Sequence, residues 1–502
     1  MPTTTALAPA VSDRSQLGGP GYRTWREQTE ALGGCAHPIR LSGTWALQDT
    51  ETGRDLAHRA GNIMIACGNR RESVCPACSD RYAADAFHLL RAGLAGGTKG
   101  IPEAVADKPR LFVTLTAPSF GPVHNHRTSK TGNPLPCGCG RFHHEHDPAL
   151  GQPLDPESYD YTGHVLWQAL AGELWGRFTT ALQRHLAHAA NLRVRDFATH
   201  ARLSFAKVAE YQCRGVIHFH AVIRLDGPTG PADPAPEWAD ADTLTDAVHA
   251  AHATARRPGP TVAGREFTAT WGPQIDIRPI QAEGAHQVED EHGAITDDRL
   301  ASYIAKYATK GTSTTEAADR PIRSRAQVEQ LTANPHHKRL IRTAWDLAEP
   351  VACPACHPHG PHEPEGCSCE LQHCHTCDNG GLVTRTTHRD HTQPEQAGKP
   401  DPLDRLHLRR WAHMLGFRGH FLSKSRAYSV PFQRIRGDRQ QHRHEAALAE
   451  LGITDSTEIT VINNWQPTHF GHPSPEHRDL ALAIAERTRE ARKTRHTSER
   501  KD

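Results

Sequence analysis

The stretch GVIHFHAVIRL, residues 215–225, sets two histidines one residue apart. Period-two alternation, the mark of a strand, puts Val216, His218, His220, Val222 and Arg224 on one face. Ile217, Phe219, Ala221, Ile223 and Leu225 fall on the other, which is uniformly apolar and is expected to pack against helices. The histidine face is then the exposed floor of a sheet, with its imidazoles about 7 Å apart at the backbone. Neutral rings so placed can share one divalent cation. A second set of reactive residues lies in SYIAKYATK, residues 302–310. Tyr303 and Tyr307 are four apart and share a helix face, and each is followed three residues later by a lysine, Lys306 or Lys310. Leu300, Tyr303, Ile304, Tyr307 and Ala308 also keep the spacing of a core-facing stripe, so burial is the competing account of the tyrosines.

With its neighbours, the histidine strand reads EYQCRGVIHFH from Glu210 to His220. This resembles the metal-binding motif of the histidine-hydrophobic-histidine (HUH) nucleases, in the variant of rolling-circle replication initiators and related transposases. The resemblance implies that His218, His220 and a nearby polar residue hold Mg²⁺ or Mn²⁺ against a scissile phosphate. Glu210 and Gln212 share a face of their strand and either can be the third ligand; Glu210 is preferred because its charge suits a hard cation. The resemblance also implies a catalytic tyrosine on a downstream helix with a lysine close by, which is what SYIAKYATK offers. A tyrosine phenol has a pKa near 10, and its phenolate attacks phosphorus while a nearby ammonium steadies the developing charge. The resulting phosphotyrosine keeps the bond energy for rejoining, and the freed 3′-OH can be extended by a polymerase. Tyr303 is preferred as nucleophile because YxxK begins there, although Tyr307-x-x-Lys310 repeats the pattern.

Several elements must position these residues. LFVTLT, residues 111–116, is a strand closed by Ala117-Pro118, and it resembles the first motif of the same family. Residues 163–190 form a long amphipathic helix, and 205–212 and 216–225 are two strands separated by Cys213-Arg214-Gly215. Gly227–Asp240 reads as a surface loop, and 298–310 as a short helix ended by Gly311. The tracts 153–178 and 411–430 resemble actinobacterial plasmid and integrative-element replication initiators, so the resemblance covers about residues 60–430. The fold expected is α+β: an HUH-type central antiparallel sheet of the split βαβ kind, helices on one face and the histidine pair on the other. Zinc-stabilised N-terminal and C-terminal extensions are expected to flank it.

The 13 cysteines are clustered, which in a reducing compartment reads as metal ligation before disulfides. Cys67-x7-Cys75-x2-Cys78 with Cys35 upstream supplies four thiolates for a closed structural Zn²⁺ site, His37 being a substitute for Cys35. Cys353-x2-Cys356 and Cys374-x2-Cys377 have two-knuckle zinc spacing, with Cys367 and Cys369 between them. Cys137-x-Cys139 with His143, His144 and His146 is a poorer set, because a single intervening residue strains simultaneous ligation.

A chain of 502 residues calls for more than one domain. The divisions expected are a disordered 1–30, a zinc-binding 31–105, the nuclease domain 106–315, a helical connection 316–350, a Cys/His-rich zinc module 351–402, a basic DNA-binding segment 403–445 and a helical tail 446–502. Net charge is only +1, yet ten Lys/Arg and one acid, Asp438, lie between Arg405 and Arg443. Arg214, Arg410, Arg418, Lys424 and Arg426 are candidate phosphate contacts, with Trp411, Phe417, Phe421 and Tyr428 available for base stacking. No run approaches the ~20 apolar residues of a membrane span, and the amino terminus lacks a secretory signal, so a cytoplasmic protein is expected. No GxxxxGK[ST] occurs, so unwinding is expected to fall to a host helicase and synthesis to a host polymerase. The expected function is nicking of single-stranded or hairpin origin DNA. An HUH transposase or relaxase, a non-catalytic zinc-containing regulator and a His-x-His metallohydrolase are the rivals.

Overall fold

The computed structural model describes residues 20–129, 131–280, 300–305, 321–348, 351–352, 382–383, 402–450 and 459–498. The chain divides into two compact units, Phe87–Pro431 and a second made of Met1–Ala86 with Phe432–Asp502.

The Phe87–Pro431 unit is built on a five-stranded antiparallel sheet. Its order is Ile275–Pro279, Arg110–Leu115, Ile217–Asp226, Arg202–Tyr211 and Leu422–Lys424. The histidine strand is central, and its apolar residues Ile217, Phe219, Ala221, Ile223 and Leu225 are buried as the alternation requires. They face the long helix Tyr161–Ala189, whose Trp167, Leu170, Leu174, Phe178 and Leu182 recur at helical spacing and are all buried. Asp160 caps this helix by accepting from the Gly163 amide at 2.8 Å. The helix Ala241–Thr254 packs beside it through Leu244, Val248 and Ala251.

The opposite face differs from the open floor expected of it. Arg110, Phe112, His220, Val222 and Arg224 are buried there, and His218 is half-buried. The cover comes from residues 87–95 and the segment around Tyr428, whose ring lies where a Cβ on Gly93 would be. The Tyr428 hydroxyl donates to the Leu90 carbonyl at 3.2 Å. Arg224 donates to the Gly93 carbonyl and grips Asp226 through Nε at 2.8 Å and Nη2 at 2.9 Å. Lys108 Nζ reaches the same carboxylate at 3.0 Å and Ser204 Oγ donates to it at 2.6 Å. A charged residue on a sequence-predicted polar face is thus a buried one, paid for by a single fully buried carboxylate. Asp226→Asn should cost about 3–5 kcal/mol, because it removes the counter-charge of two buried cations whose other partners are backbone carbonyls; a fall in the urea midpoint at unchanged slope is the readout.

The other unit holds a three-stranded antiparallel sheet in which Ile39–Asp49 lies between Asp55–Ile65 and Ile459–Phe470. The last sixty residues are therefore more than a helical tail: a strand precedes the expected helix, which spans Pro475–Ser498. The amino-terminal expectation also changes, because Pro20–Ala31 is a helix rather than disordered chain. Its Trp25 is buried, donates through Nε1 to His472 at 3.2 Å and meets His477 edge-on. The basic stretch 403–445 is not one segment either. Leu422–Lys424 is the edge strand of the first sheet, and the helix Phe432–Glu450 belongs to the second unit.

Candidate active site

Antiparallel register carries Glu210 to the histidines. It pairs with His218 across the two central strands, while His220 pairs with Val208 on one side and Thr114 on the other. All three side chains therefore project from the same face. Glu210 Oε2 lies 2.8 Å from His220 Nε2 and 3.4 Å from His218 Nε2, and the three potential ligand atoms all fall within 4.8 Å of one another. Thr114 Oγ1 holds His220 Nδ1 at 3.1 Å, which turns Nε2 toward the carboxylate. Burial alone would push the Glu210 carboxyl up, but hydrogen bonds from His218 and His220 bring it down to about 2. For His220 burial is the largest influence and lowers it, with Glu210 opposing. One anionic oxygen and two imidazole nitrogens converging on a small volume fit a divalent cation by their chemistry.

Gln212 takes another part. It lies in the turn that joins the two strands, where its side-chain oxygen accepts from Arg214 Nε at 2.9 Å. Arg214 is itself committed, donating to the Pro118 and Ala117 carbonyls at 3.1 and 3.3 Å. Behind this turn sits a buried histidine group. His336 Nε2 is 2.9 Å from the Arg214 carbonyl, His337 lies beside it, and burial holds both at about 4. The unfolded chain would take up protons on these rings below about 6.5 while the folded chain would not until about 4. Their contribution to stability is thus complete above about pH 6.5 and is lost as the pH falls toward 4. Lowering the pH from 7 to 5 should cost on the order of 2 kcal/mol for each ring, and a His336→Gln/His337→Gln variant should flatten that slope in denaturant titrations.

Residues 300–305 are helical and bring a tyrosine to the site. The Tyr303 ring stands edge-on to His220 at 5.6 Å between centroids and to Phe112 at 6.0 Å. The competing core-stripe account fails for Tyr303, which is 40% exposed while Leu300, Ala301, Ile304 and Ala305 are buried. The buried stripe is rotated away from the tyrosine. Lys306, Tyr307 and Lys310 lie outside the described residues.

Sequence reasoning missed Thr114, Phe112 and Asp276 as neighbours of the histidines. Asp276 pairs with Thr114, shares its face and forms an ion pair with Arg278 at 3.0 Å. The signal was the polar alternation of Thr114 and Thr116 and of Asp276 and Arg278, but only register shows that these faces coincide.

Of the candidate phosphate contacts, Arg410 and Arg426 are exposed. Arg418 instead donates to the Ala169 carbonyl at 3.1 Å, the Arg405 carbonyl at 2.7 Å and the Glu173 carboxylate. Lys424 donates to the Ser429 carbonyl at 2.6 Å. The stacking surface expected of Phe417, Phe421 and Tyr428 does not exist, since all three are buried; apolar bulk sent them inward. Trp411 alone of that set is partly exposed.

Cys35, Cys67, Cys75 and Cys78 converge in the other unit. The Sγ atoms are 3.6 Å apart for Cys67–Cys78, 3.7 Å for Cys78–Cys35 and 3.8 Å for Cys75–Cys35. Zn–S bonds of about 2.3 Å set tetrahedral sulfur separations of about 3.8 Å, so the cluster can hold such an ion. The amides of Ala36 and Cys67 donate to Cys75 and Cys35 sulfurs at 3.3 and 3.4 Å, as suits thiolates. Cys353, Cys356, Cys374 and Cys377, with Cys367 and Cys369, lie outside the described residues. The strands flanking the 353–381 segment, Val351–Ala352 and Leu382–Val383, pair with each other.

Among the described residues no helix is long and apolar enough to cross a membrane. No solved structure matches this chain. The family described as "Replication initiator protein, pSAM2" matches residues 21–486. A replication initiator protein of Streptomyces ambofaciens is 39% identical over 478 residues, covering 93% of this chain and 90% of that relative. By both comparisons the chain belongs to the replication initiator protein family of pSAM2.

Proposed function

We propose that this protein starts rolling-circle replication by nicking one strand of an origin in a plasmid or integrative element, with an HUH-type site and Tyr303 as nucleophile. The observation that carries the reading is Tyr303 standing against His220 at 5.6 Å, beside the Glu210–His218–His220 group. The Tyr303 oxygen, giving up its phenolic proton to water, attacks the scissile phosphorus; the bond to the 3′-oxygen breaks, and that oxygen takes a proton from water to leave as a 3′-OH. The 5′-phosphate stays on the tyrosine, ready to be passed to another 3′-OH. Glu210, His218 and His220 would hold Mg²⁺ or Mn²⁺, which when bound polarises the phosphate. Thr114 keeps His220 in the orientation that presents Nε2. Lys306 and Lys310 are available to balance charge on the phosphate. Structural Zn²⁺ is proposed for the four-cysteine cluster and for the Cys353–Cys377 segment, and Arg410 and Arg426 for contacts to origin DNA. A host helicase and polymerase would act on the nicked origin.

The test is cleavage of a single-stranded or hairpin origin oligonucleotide with Mn²⁺ or Mg²⁺. His218→Ala/His220→Ala should lower the rate by at least about 10²–10³, the loss on removing one group that stabilises transition-state charge, and should abolish Mn²⁺ binding seen by calorimetry. Wild-type protein that binds origin DNA without cutting it would leave the regulator reading in possession. Cleavage without a covalent adduct would favour a metallohydrolase.

A further inference from the structure

His124, Cys137, Cys139 and His143 bring their ligand atoms within 4.8 Å of one another in the loop that follows the Arg110–Leu115 strand. His124 Nδ1 is 3.2 Å from His143 Nε2, and Cys139 Sγ is 3.3 Å from that same nitrogen. His143 Nδ1 faces Asp147 Oδ2 at 2.7 Å, so the ring donates its proton there and leaves Nε2 as a lone pair. Two imidazole nitrogens and two sulfurs thus converge on one point, the donor set and spacing that a tetrahedral cation takes. Zn–N bonds of about 2.0–2.1 Å and Zn–S bonds of about 2.3 Å set tetrahedral separations of about 3.3 Å for N···N and about 3.6 Å for N···S.

The loop has no other core. Among the described residues from 123 to 150, Cys137 and His143 alone are buried, and Phe142 is 64% exposed. A segment so poor in buried apolar area needs another source of stability, which metal ligation supplies. Its single-residue Cys-x-Cys spacing is workable because Gly138 intervenes and the chain turns tightly. Gly140 N donates to the Cys137 carbonyl at 2.8 Å, and Cys137 N to the Arg141 carbonyl at 2.8 Å. The short hairpin of Arg127–Thr128 and Pro134–Leu135 lies between the first and second ligands. His144 and His146 are exposed and stand outside the group.

We infer that these four residues form a Cys2His2 zinc site, separate from the four-cysteine cluster, with Asp147 orienting His143. The site is structural, since all four positions are filled by protein. Its location ties it to the two central strands. The loop departs just beyond Thr114 and returns at Gly151, where a Cβ would overlap the backbone of Cys213 and Arg214 in the turn joining them.

Zinc counted by mass spectrometry on the full-length protein gives the first test. Cys137→Ser/Cys139→Ser should lose one equivalent relative to wild type, whatever the total. In cobalt-exchanged protein, His124→Cys should keep that equivalent and shift the visible Co²⁺ bands toward those of a three-thiolate site. An unchanged zinc count in the folded double variant, or an unaltered cobalt spectrum in His124→Cys, would overturn the assignment. If the double variant does not fold, the His124→Cys spectrum decides alone.

Discussion

Tyr303→Phe is expected to abolish the covalent protein–DNA adduct and to lower origin cleavage by at least about a thousandfold, equivalent to about 4 kcal/mol of barrier. Only the hydroxyl is removed. The phenyl ring can keep its edge-on contacts with His220 and Phe112, and the side chain is 40% exposed, so folding and Mn²⁺ binding should persist. Tyr307→Phe should cleave at close to the wild-type rate. The decisive measurement uses an oligonucleotide labelled 3′ to the nick and mass spectrometry of the adduct after proteolysis. A fully active Tyr303→Phe protein with its adduct on Tyr307 would move the nucleophile four residues along the chain. Loss of both adduct and Mn²⁺ binding in Tyr303→Phe would instead make Tyr303 a support for the metal group.

Cys75→Ser should unfold the unit formed by the two chain ends. The three-stranded sheet of that unit contributes almost no buried core. Of the eleven residues in Ile39–Asp49 only Leu47 is buried, and none is buried in Asp55–Ile65 or Ile459–Phe470. The buried cysteines pack instead with Ala36, Leu32, Ala66 and Leu482, so the ligand cluster is itself a local core. Structural zinc contributes about 10–16 kcal/mol of apparent binding free energy in small zinc domains, more than this sheet can replace. The expected result is loss of one zinc equivalent and rapid trypsin cleavage in residues 20–86 and 432–498. A Cys75→Ser protein that loses zinc yet resists trypsin like wild type would show that the sheet and helices suffice by themselves.

Part of the central sheet was legible because the 216–225 strand alternates without interruption. The expected strands 205–212 and 216–225 correspond to Arg202–Tyr211 and Ile217–Asp226, and the expected helix 163–190 to Tyr161–Ala189. The Cys35–Cys78 set was legible because spacing limits how four thiolates can meet, and the sulfurs do meet. The Ile459–Phe470 strand was not legible. Its partner is Ile39–Asp49, more than four hundred residues away, and its polar residues and Pro467 leave no local pattern to read. His124 was overlooked as a ligand for a similar reason: thirteen positions separate it from Cys137, with a hairpin between them.

What the sequence determined by itself was which residues share a face. Period two put His218 with His220 from covalent geometry alone, whereas Gln212 fell past the end of the Arg202–Tyr211 strand that carries Glu210. What only the tertiary structure decided was which faces meet and which meet water. Register brought Glu210 to the histidines and left Gln212 to Arg214, and packing buried Arg224, Phe417 and Tyr428 while leaving Tyr303 exposed. The physical reason is that alternation is local, whereas burial depends on what the rest of the chain lays over each surface.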